Sequence, residues 1–477
     1  MKVFKNYIYN VGYQVLVLII PLITVPYVSR VLGPTGVGIN SYTSSIATYF
    51  VLVGSLGLNM YGIRTIAFVR DDKYKLSKCF WELMILRCIT LGVSIICYLI
   101  YIDNFNNQYR IFFLGQFFLL TAAVFDISWF FMGLEDFKKT VIRNTIVKIF
   151  SLIMIFVFVK SKEDVFVYIL ILNVSTTLGN VTFWPYLKSI IIKVPTNELS
   201  LKKHLKPSIQ LFIPQIALQI YLVLNKTMLG SLESIESAGY FENSDRLIKI
   251  VLSIVTASGI VMSPRVSNSF IKGEVDKVKR YLTLSLDFST AISIPCMFGL
   301  MAIAKPFAPI FFGSEFSGID KLIVILSPII VLIAWSNTIG NQYLLPTSML
   351  STFTNSILFG TLINFIFNLV LIPSIGVLGA GIATVISELI ITIIQIYSIR
   401  KELSISSISK NISKYILAGL LMYIILFFIR NQLNGSMLSI LFLIIIGGIV
   451  YLLFVILLKP TSLSYLKQIT NKKNGMR

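Results

Sequence analysis

Apolar runs long enough to cross a lipid bilayer recur along the whole chain and limit its fold more than any other feature. Fourteen runs are separated by polar, Gly-containing or Pro-containing breaks: 9–28, 38–58, 79–102, 110–132, 141–159, 165–187, 208–229, 239–264, 282–304, 321–344, 354–373, 376–398, 414–430 and 437–458. One transmembrane helix needs about 20 apolar residues. With 56% hydrophobic and only 13% charged residues, a water-soluble domain structure is excluded. The sequence therefore predicts an all-α polytopic membrane protein with about 14 transmembrane helices.

The distribution of basic residues predicts which side of the membrane each loop faces. The chain has 41 Lys and Arg residues against 21 Asp and Glu residues, a net charge of +20. If the N-terminus lies in the cytoplasm, the inner segments hold about four Lys or Arg residues for each one in the outer loops. Membrane topology thus explains the basic surplus, and no nucleic-acid partner is expected. An even number of spans places both termini in the cytoplasm.

Cysteine and histidine usage excludes several kinds of site. The four cysteines lie inside apolar runs without metal-binding spacing, so we expect no disulfide framework, metal site or cofactor. The single histidine, His204, lies in a lysine-rich stretch, and we expect it on a loop surface. That stretch, residues 188–206, predicts a cytoplasmic tether, with an amphipathic segment on the inner leaflet as the alternative.

An ordered internal match predicts two related halves. Features of the first half are repeated in the second in the same order: Pro21, Leu32, Gly33, Gly38, Tyr42 and Arg64 match Pro214, Leu229, Gly230, Gly239, Tyr240 and Arg265. Two six-helix lobes related by an axis along the membrane normal, with a cavity between them, would produce this match. We therefore predict an N-terminal lobe over residues 1–206, a C-terminal lobe over 207–400, and a final helix pair with a cytoplasmic tail over 401–477.

Three segments resemble one known family of membrane proteins. They are residues 21–42 (PLITVPYVSRVLGPTGVGINSY), residues 126–135 (DISWFFMGLE) and residues 364–388 (NFIFNLVLIPSIGVLGAGIATVISE). Together they resemble the polysaccharide or O-antigen flippases of the multidrug/oligosaccharidyl-lipid/polysaccharide exporter superfamily. The resemblance covers essentially the full chain and implies a V-shaped pair of lobes that alternates between inward-open and outward-open states.

The same resemblance implies a function and a location. It implies a flippase of the bacterial cytoplasmic membrane that carries an undecaprenyl-diphosphate-linked oligosaccharide to the outer leaflet for capsule, O-antigen or exopolysaccharide synthesis. Its partners would be this glycan carrier, membrane lipids, and a polysaccharide polymerase with its chain-length machinery. The implied activity involves no covalent chemistry, so we expect no enzyme and no catalytic residue.

Cationic side chains inside apolar runs are the candidates for binding a diphosphate. Arg246 and Lys249 are three residues apart on one helix face, and guanidinium and ammonium groups bind phosphate oxygens strongly where water is scarce. Lys226 is a third candidate, and Arg30 and Arg64 are either headgroup ligands or topology anchors. Arg87 and Lys148 lie near span ends, where long side chains can reach the interface, so we expect them to do so.

Three carboxylates within or near spans, Asp126, Asp287 and Glu388, are candidates for binding a coupling proton or sodium ion. Pairing with a neighbouring cation is the alternative for each of them. Two other functions stay open. A cation-coupled drug antiporter of the same superfamily would line its cavity with acidic residues, and a polyprenyl-dependent glycosyltransferase or polymerase would carry catalytic residues on a large outer loop.

Overall fold

The structure, a computed structural model, describes residues 2–104, 108–256, 259–400, 405–433 and 435–460. The chain divides into two compact units, residues 1–239 and residues 240–477. The described residues are helical with short connections and no strand, as the sequence predicts. The side chain of Pro214 and the predicted tail over residues 461–477 lie outside the described part, and the predicted lobe boundaries at 206 and 400 stay a prediction.

Nine α-helices lie in the first unit's described residues and account for the first seven predicted spans. They are α1 (Lys2–Ser55), α2 (Leu58–Val69), α3 (Lys73–Asn104), α4 (Arg110–Phe125), α5 (Ser128–Gly133), α6 (Phe137–Phe158), α7 (Val165–Val181), α8 (Trp184–Leu187) and α9 (Lys202–Leu232).

The second unit holds the remaining predicted spans, and its first helix begins just before the boundary between the units. Its α-helices are α10 (Ile235–Thr256), α11 (Gly259–Ile271), α12 (Val275–Phe312), α13 (Ile319–Leu326), α14 (Ile329–Ile339), α15 (Leu350–Ile375), α16 (Val377–Ser398), α17 (Ile405–Arg430) and α18 (Met437–Leu458). A short π-helix over Gly340–Leu344 extends α14.

Most of the described helices belong to segments that are long and apolar enough to cross a membrane. Among the described residues, 11 helical segments are long and apolar enough to cross a membrane. One of them, Ile19–Val69, has 51 residues, whereas about 20 suffice for a crossing. The helices α9, α10 and α11 fall outside this set, although they coincide with two predicted spans. The total of 14 spans stays a prediction.

Glycines with positive φ separate helical pieces where the sequence predicts turns. Gly33 has φ 65° and ψ −176° inside α1, next to Pro34, and divides this long helix into two pieces. Gly376 has φ 61° between α15 and α16. L-residues with a side chain rarely adopt this backbone region, so glycine at these two positions permits the turns.

The second family-like segment forms a capped corner between α4 and α5. The Asp126 backbone is extended, and its side chain accepts a hydrogen bond from the Ser128 backbone N–H at 2.9 Å. Trp129 is buried beside Gly62, where an added Cβ would lie 2.5 Å from the indole ring. The corner therefore holds α5 against α2 by close packing.

An apolar cluster of the first unit lies among α2, α3 and α5. Its buried members include Ile66, Phe80 and Phe130. Ile190 and Ile191 of the predicted tether, although only partly buried, pack against the same cluster. This part of the tether therefore lies on the protein rather than running free, because its apolar side chains find a protein surface to cover.

Candidate functional site

The helix α10 carries a stripe of two ion pairs. Arg246 Nε lies 2.5 Å from Glu242 Oε1, and Lys249 Nζ lies 2.6 Å from Asp245 Oδ2. Both pairs have i, i+4 spacing, which brings side chains together on one helix face. Arg246 and Lys249 thus lie on one face of α10, each beside a carboxylate.

Exposure distinguishes the two cations from their partners. The side chains of Arg246 and Lys249 are 34% and 47% exposed, whereas those of Glu242 and Asp245 are 8% and 23% exposed. The carboxylates therefore lie deeper in the protein than the cations they hold. Such an arrangement keeps two positive groups accessible on a predicted membrane span while nearby charges lower the cost of placing them there.

The three cationic candidates of the first unit have different surroundings. Arg30 on α1 and Arg64 on α2 are exposed, and the Arg64 guanidinium lies 5.8 Å from the centre of the Phe68 ring. Lys226 on α9 is half-buried and follows the buried Asn225. The three side chains lie on three different helices of the first unit.

Arg87 differs from its expected position at the interface. Its side chain is 1% exposed, its Nε donates to the Ala123 carbonyl at 2.8 Å, and its Nη1 donates to Asn59 Oδ1 at 2.6 Å. Asp126 Oδ2 lies 3.9 Å from Nη2. The expectation that Arg87 reaches toward the membrane surface is wrong, because hydrogen-bond acceptors on the neighbouring helices α2 and α4 hold its guanidinium inside the unit.

The three candidate ion-coupling carboxylates sit in polar surroundings. Asp126 forms the helix cap described above and faces Arg87. Asp287 on α12 accepts hydrogen bonds from Asn411 Nδ2 at 2.9 Å and from the Tyr415 hydroxyl at 3.2 Å. Glu388 on α16 is buried, with 5% exposure. Each of them therefore remains a candidate, with ordinary structural partners described for two.

His204 is also placed differently from the expectation of a loop surface. It is 3% exposed in the first turn of α9, where its Nε2 lies 2.9 Å from Glu82 Oε2 and its Nδ1 lies 2.9 Å from the Tyr61 hydroxyl. The tautomer with a proton on Nε2 satisfies both contacts, with Nε2 donating to Glu82 and Tyr61 donating to Nδ1. Burial lowers the pKa of His204 below its usual value, although Glu82 opposes this shift.

Glu82 on α3 is the centre of this arrangement, and sequence reasoning did not select it. Its carboxylate, 1% exposed, also accepts hydrogen bonds from the Ser200 backbone N–H at 2.8 Å and from Lys203 Nζ at 2.9 Å. A lone acidic residue in an apolar run was the available signal, since burying a carboxylate requires partners. These contacts tie the start of α9 to α3.

Among the described residues, no group of three or more His, Cys, Asp or Glu side chains could hold a metal ion.

Comparison with known proteins identifies the fold. A solved structure of the lipid II flippase MurJ in an inward closed conformation matches with a TM-score of 0.74 and 18% identity, over 98% of this chain and 100% of that chain. An inward-facing multidrug resistance MATE family transporter of the MOP superfamily matches with a TM-score of 0.61 and 15% identity, over 82% of this chain and 99% of that one. The predicted superfamily fold is confirmed.

Sequence comparison identifies the family. A putative O-antigen transporter of Escherichia coli (strain K12) is 22% identical over 406 residues, which cover 83% of this chain and 97% of that protein. Residues 3–270, more than half of the chain, match the family model described as polysaccharide biosynthesis protein. This multi-pass membrane protein therefore belongs to the polysaccharide biosynthesis protein family.

Proposed function

We propose that this protein is a flippase that moves undecaprenyl-diphosphate-linked oligosaccharide units from the inner to the outer leaflet of a bacterial cytoplasmic membrane. Family membership supports a role in polysaccharide synthesis, and the similarity to a putative O-antigen transporter over 97% of that protein supports transport. The carrier lipid, the direction and the cytoplasmic location of both termini are parts of this proposal. A polysaccharide polymerase with its chain-length machinery would use the delivered unit.

The observation that carries the proposal is the pair of accessible cations on α10. A diphosphate has several anionic oxygens, which bind guanidinium and ammonium groups through charge-assisted hydrogen bonds. In the structure Glu242 and Asp245 pair with Arg246 and Lys249. A diphosphate would compete with these carboxylates, so we infer that the cations exchange partners when the substrate binds. Arg30, Arg64 and Lys226 are the further headgroup ligands of the proposal.

Two rival functions fit these features less well. A drug antiporter for cationic compounds needs accessible carboxylates, whereas on α10 the cations are more exposed than the carboxylates. A polymerase needs catalytic groups, and the segment over 305–320 is helical as far as Phe312 and carries only Glu315 and Asp320 as acidic residues. Translocation needs no such groups, because it changes no covalent bond. Asp126, Asp287 and Glu388 are the candidates for binding the coupling ion.

The test is the double substitution Arg246→Ala and Lys249→Ala in a strain that depends on this protein for its surface glycan. We expect the variant to reach the membrane in normal amount, to export no glycan, and to accumulate the carrier-linked oligosaccharide, which mass spectrometry of extracted lipids measures. The matched control is Lys277→Ala with Arg280→Ala, which removes two cations at the same spacing at the exposed start of α12. Normal export by the α10 variant would refute the headgroup role.

A further inference from the structure

An open cavity between α6 and α7 lies in the first unit and has a volume of about 720 Å³. Among the described residues that line it, none is one of the predicted headgroup or ion-coupling residues. Its walls are largely apolar, with Arg143 and Asp136 as the charged residues in the lining. The cavity therefore combines an apolar wall with groups of opposite charge.

The apolar wall of the cavity follows one face of α6. Ile142, Ile146 and Phe150 recur at every fourth position, and they are 41%, 61% and 46% exposed. Leu178 of α7, 55% exposed, faces the same space. From Ile142 to Phe150 the helix rises about 12 Å. Since this face belongs to a predicted membrane span, an apolar chain lying along it would cover these side chains.

Arg143 is held so that its guanidinium lines the cavity near the start of α6. Its Nη1 donates to Asn180 Oδ1 at 2.6 Å, and its guanidinium lies 4.4 Å from the centre of the Phe183 ring. Asn180 in turn donates to the Ala122 carbonyl at 2.7 Å, and both Asn180 and Phe183 are buried. A guanidinium positioned in this way by two buried neighbours is a preorganised ligand for phosphate.

Polarity changes along the cavity in the same sense as across one leaflet of a membrane. Asp136 and Tyr186 lie at the end of the cavity where α6 begins and α8 ends, Arg143 follows two turns along α6, and Phe150 lies deepest along α6. A lipid has its headgroup at the interface and its acyl chain in the core. An occupant with a phosphate, a neighbouring positive group and an apolar chain matches this order.

We propose that this cavity is a binding site for a zwitterionic glycerophospholipid of the ethanolamine type. Its phosphate binds Arg143, its ammonium group lies toward Asp136, and one acyl chain lies along Ile142, Ile146 and Phe150. The opposite charges of Arg143 and Asp136 favour a zwitterionic headgroup over one that is only anionic. Binding cavities commonly measure about 300–1,000 Å³, so the space suits one headgroup with part of one chain.

The test is native mass spectrometry of the full-length protein in nonionic detergent, titrated with phosphatidylethanolamine, phosphatidylglycerol or a polyprenyl phosphate. We expect one saturable phosphatidylethanolamine per chain, bound about tenfold more tightly than either other lipid. Arg143→Ala should weaken this binding about tenfold. Arg110→Ala is the matched control, because Arg110 is an exposed arginine that pairs with Asp103 elsewhere in the unit.

A second variant distinguishes loss of the site from misfolding. Ile146→Trp keeps Arg143 and its neighbours but fills the cavity from an exposed position on α6. It should abolish the saturable lipid while leaving the thermal unfolding temperature unchanged. Equal binding of phosphatidylglycerol, preference for the polyprenyl phosphate, unsaturable binding, or retention of the lipid by Ile146→Trp would each overturn the proposal. Because export is not the readout, failure here leaves the flippase proposal intact.

Discussion

At the scale of single residues, buried charge in this protein is stabilised by neutral and charged partners far away in the chain. Arg87 on α3 binds Asn59 on α2 and the carbonyl of Ala123 on α4. Removing one member of such a group leaves the others desolvated without their partner, which costs more than the interaction contributes on balance.

Replacing Arg87 by Met should therefore destabilise the protein by about 3–5 kcal/mol, because Asn59 and Asp126 would lose a cationic partner inside the bundle. Thermal unfolding of the purified protein in detergent measures the effect. The matched variant Arg110→Ala removes an exposed ion pair and should change the free energy of unfolding by about 1 kcal/mol or less. Equal unfolding temperatures for the two variants would contradict a structural role for Arg87.

The His204 side chain predicts a pH dependence of stability. Its folded pKa is lowered by burial, so between that value and the unfolded value near 6.5 the unfolded chain binds more protons. The His204 contribution is then complete above about pH 6.5 and is lost as the pH falls below it. His204→Gln cannot titrate, so its unfolding temperature should decrease less than that of the native protein between pH 7.5 and pH 5, and parallel curves would exclude this explanation.

At the scale of helices, the close packing of α15 against α16 depends on a glycine. A Cβ added at Gly379 would lie 2.3 Å from the Leu371 carbonyl oxygen, which is backbone and cannot rotate away. The third family-like segment contains this glycine. Its Gly and Ala residues let the two helices approach closely, as small residues do in membrane bundles.

Gly379→Ala should therefore separate α15 from α16 and lower the unfolding temperature and the amount of folded protein in the membrane. Gly92→Ala on α3 is the control, because an added Cβ there meets nothing within 4 Å. It should be neutral or slightly stabilising, since alanine favours a helix by about 0.5–1 kcal/mol over glycine. Folded yield and melting in detergent compare them, and a harmless Gly379→Ala would show that the hairpin can relax.

The helices were more predictable from the sequence than the polar contacts between them. Every predicted apolar run coincides with helix in the described residues, because a backbone in lipid must satisfy its hydrogen bonds internally. The partner of His204 is Glu82, 122 positions away, and no local pattern indicates that pairing. The sequence likewise did not indicate Arg143, because the neighbours that position its guanidinium, Asn180 and Phe183, belong to another segment. The length of an apolar run can be read from neighbouring residues, whereas the partners of a buried charge depend on tertiary structure.

At the scale of the whole molecule, the distribution of Lys and Arg predicts how the chain lies in the membrane. The loop around Lys272 belongs to the basic segments and should face the cytoplasm, and the loop around Ser317 should face outward. Both residues are exposed. Each loop connects helices that run in opposite predicted directions, so a single misassigned crossing between them would place both loops on one side.

Cysteine labelling tests this orientation directly. In a background with Cys79, Cys88, Cys97 and Cys296 replaced, which must first be shown to export glycan, Ser317→Cys should react with a membrane-impermeant maleimide in intact cells. Lys272→Cys should react only after the membrane is permeabilised, because its thiol lies behind the bilayer. The cost of moving charged loops through hydrocarbon prevents one population from occupying both orientations freely. Labelling of both sites in intact cells, or of Lys272→Cys alone, would refute the cytoplasmic placement of the basic loops.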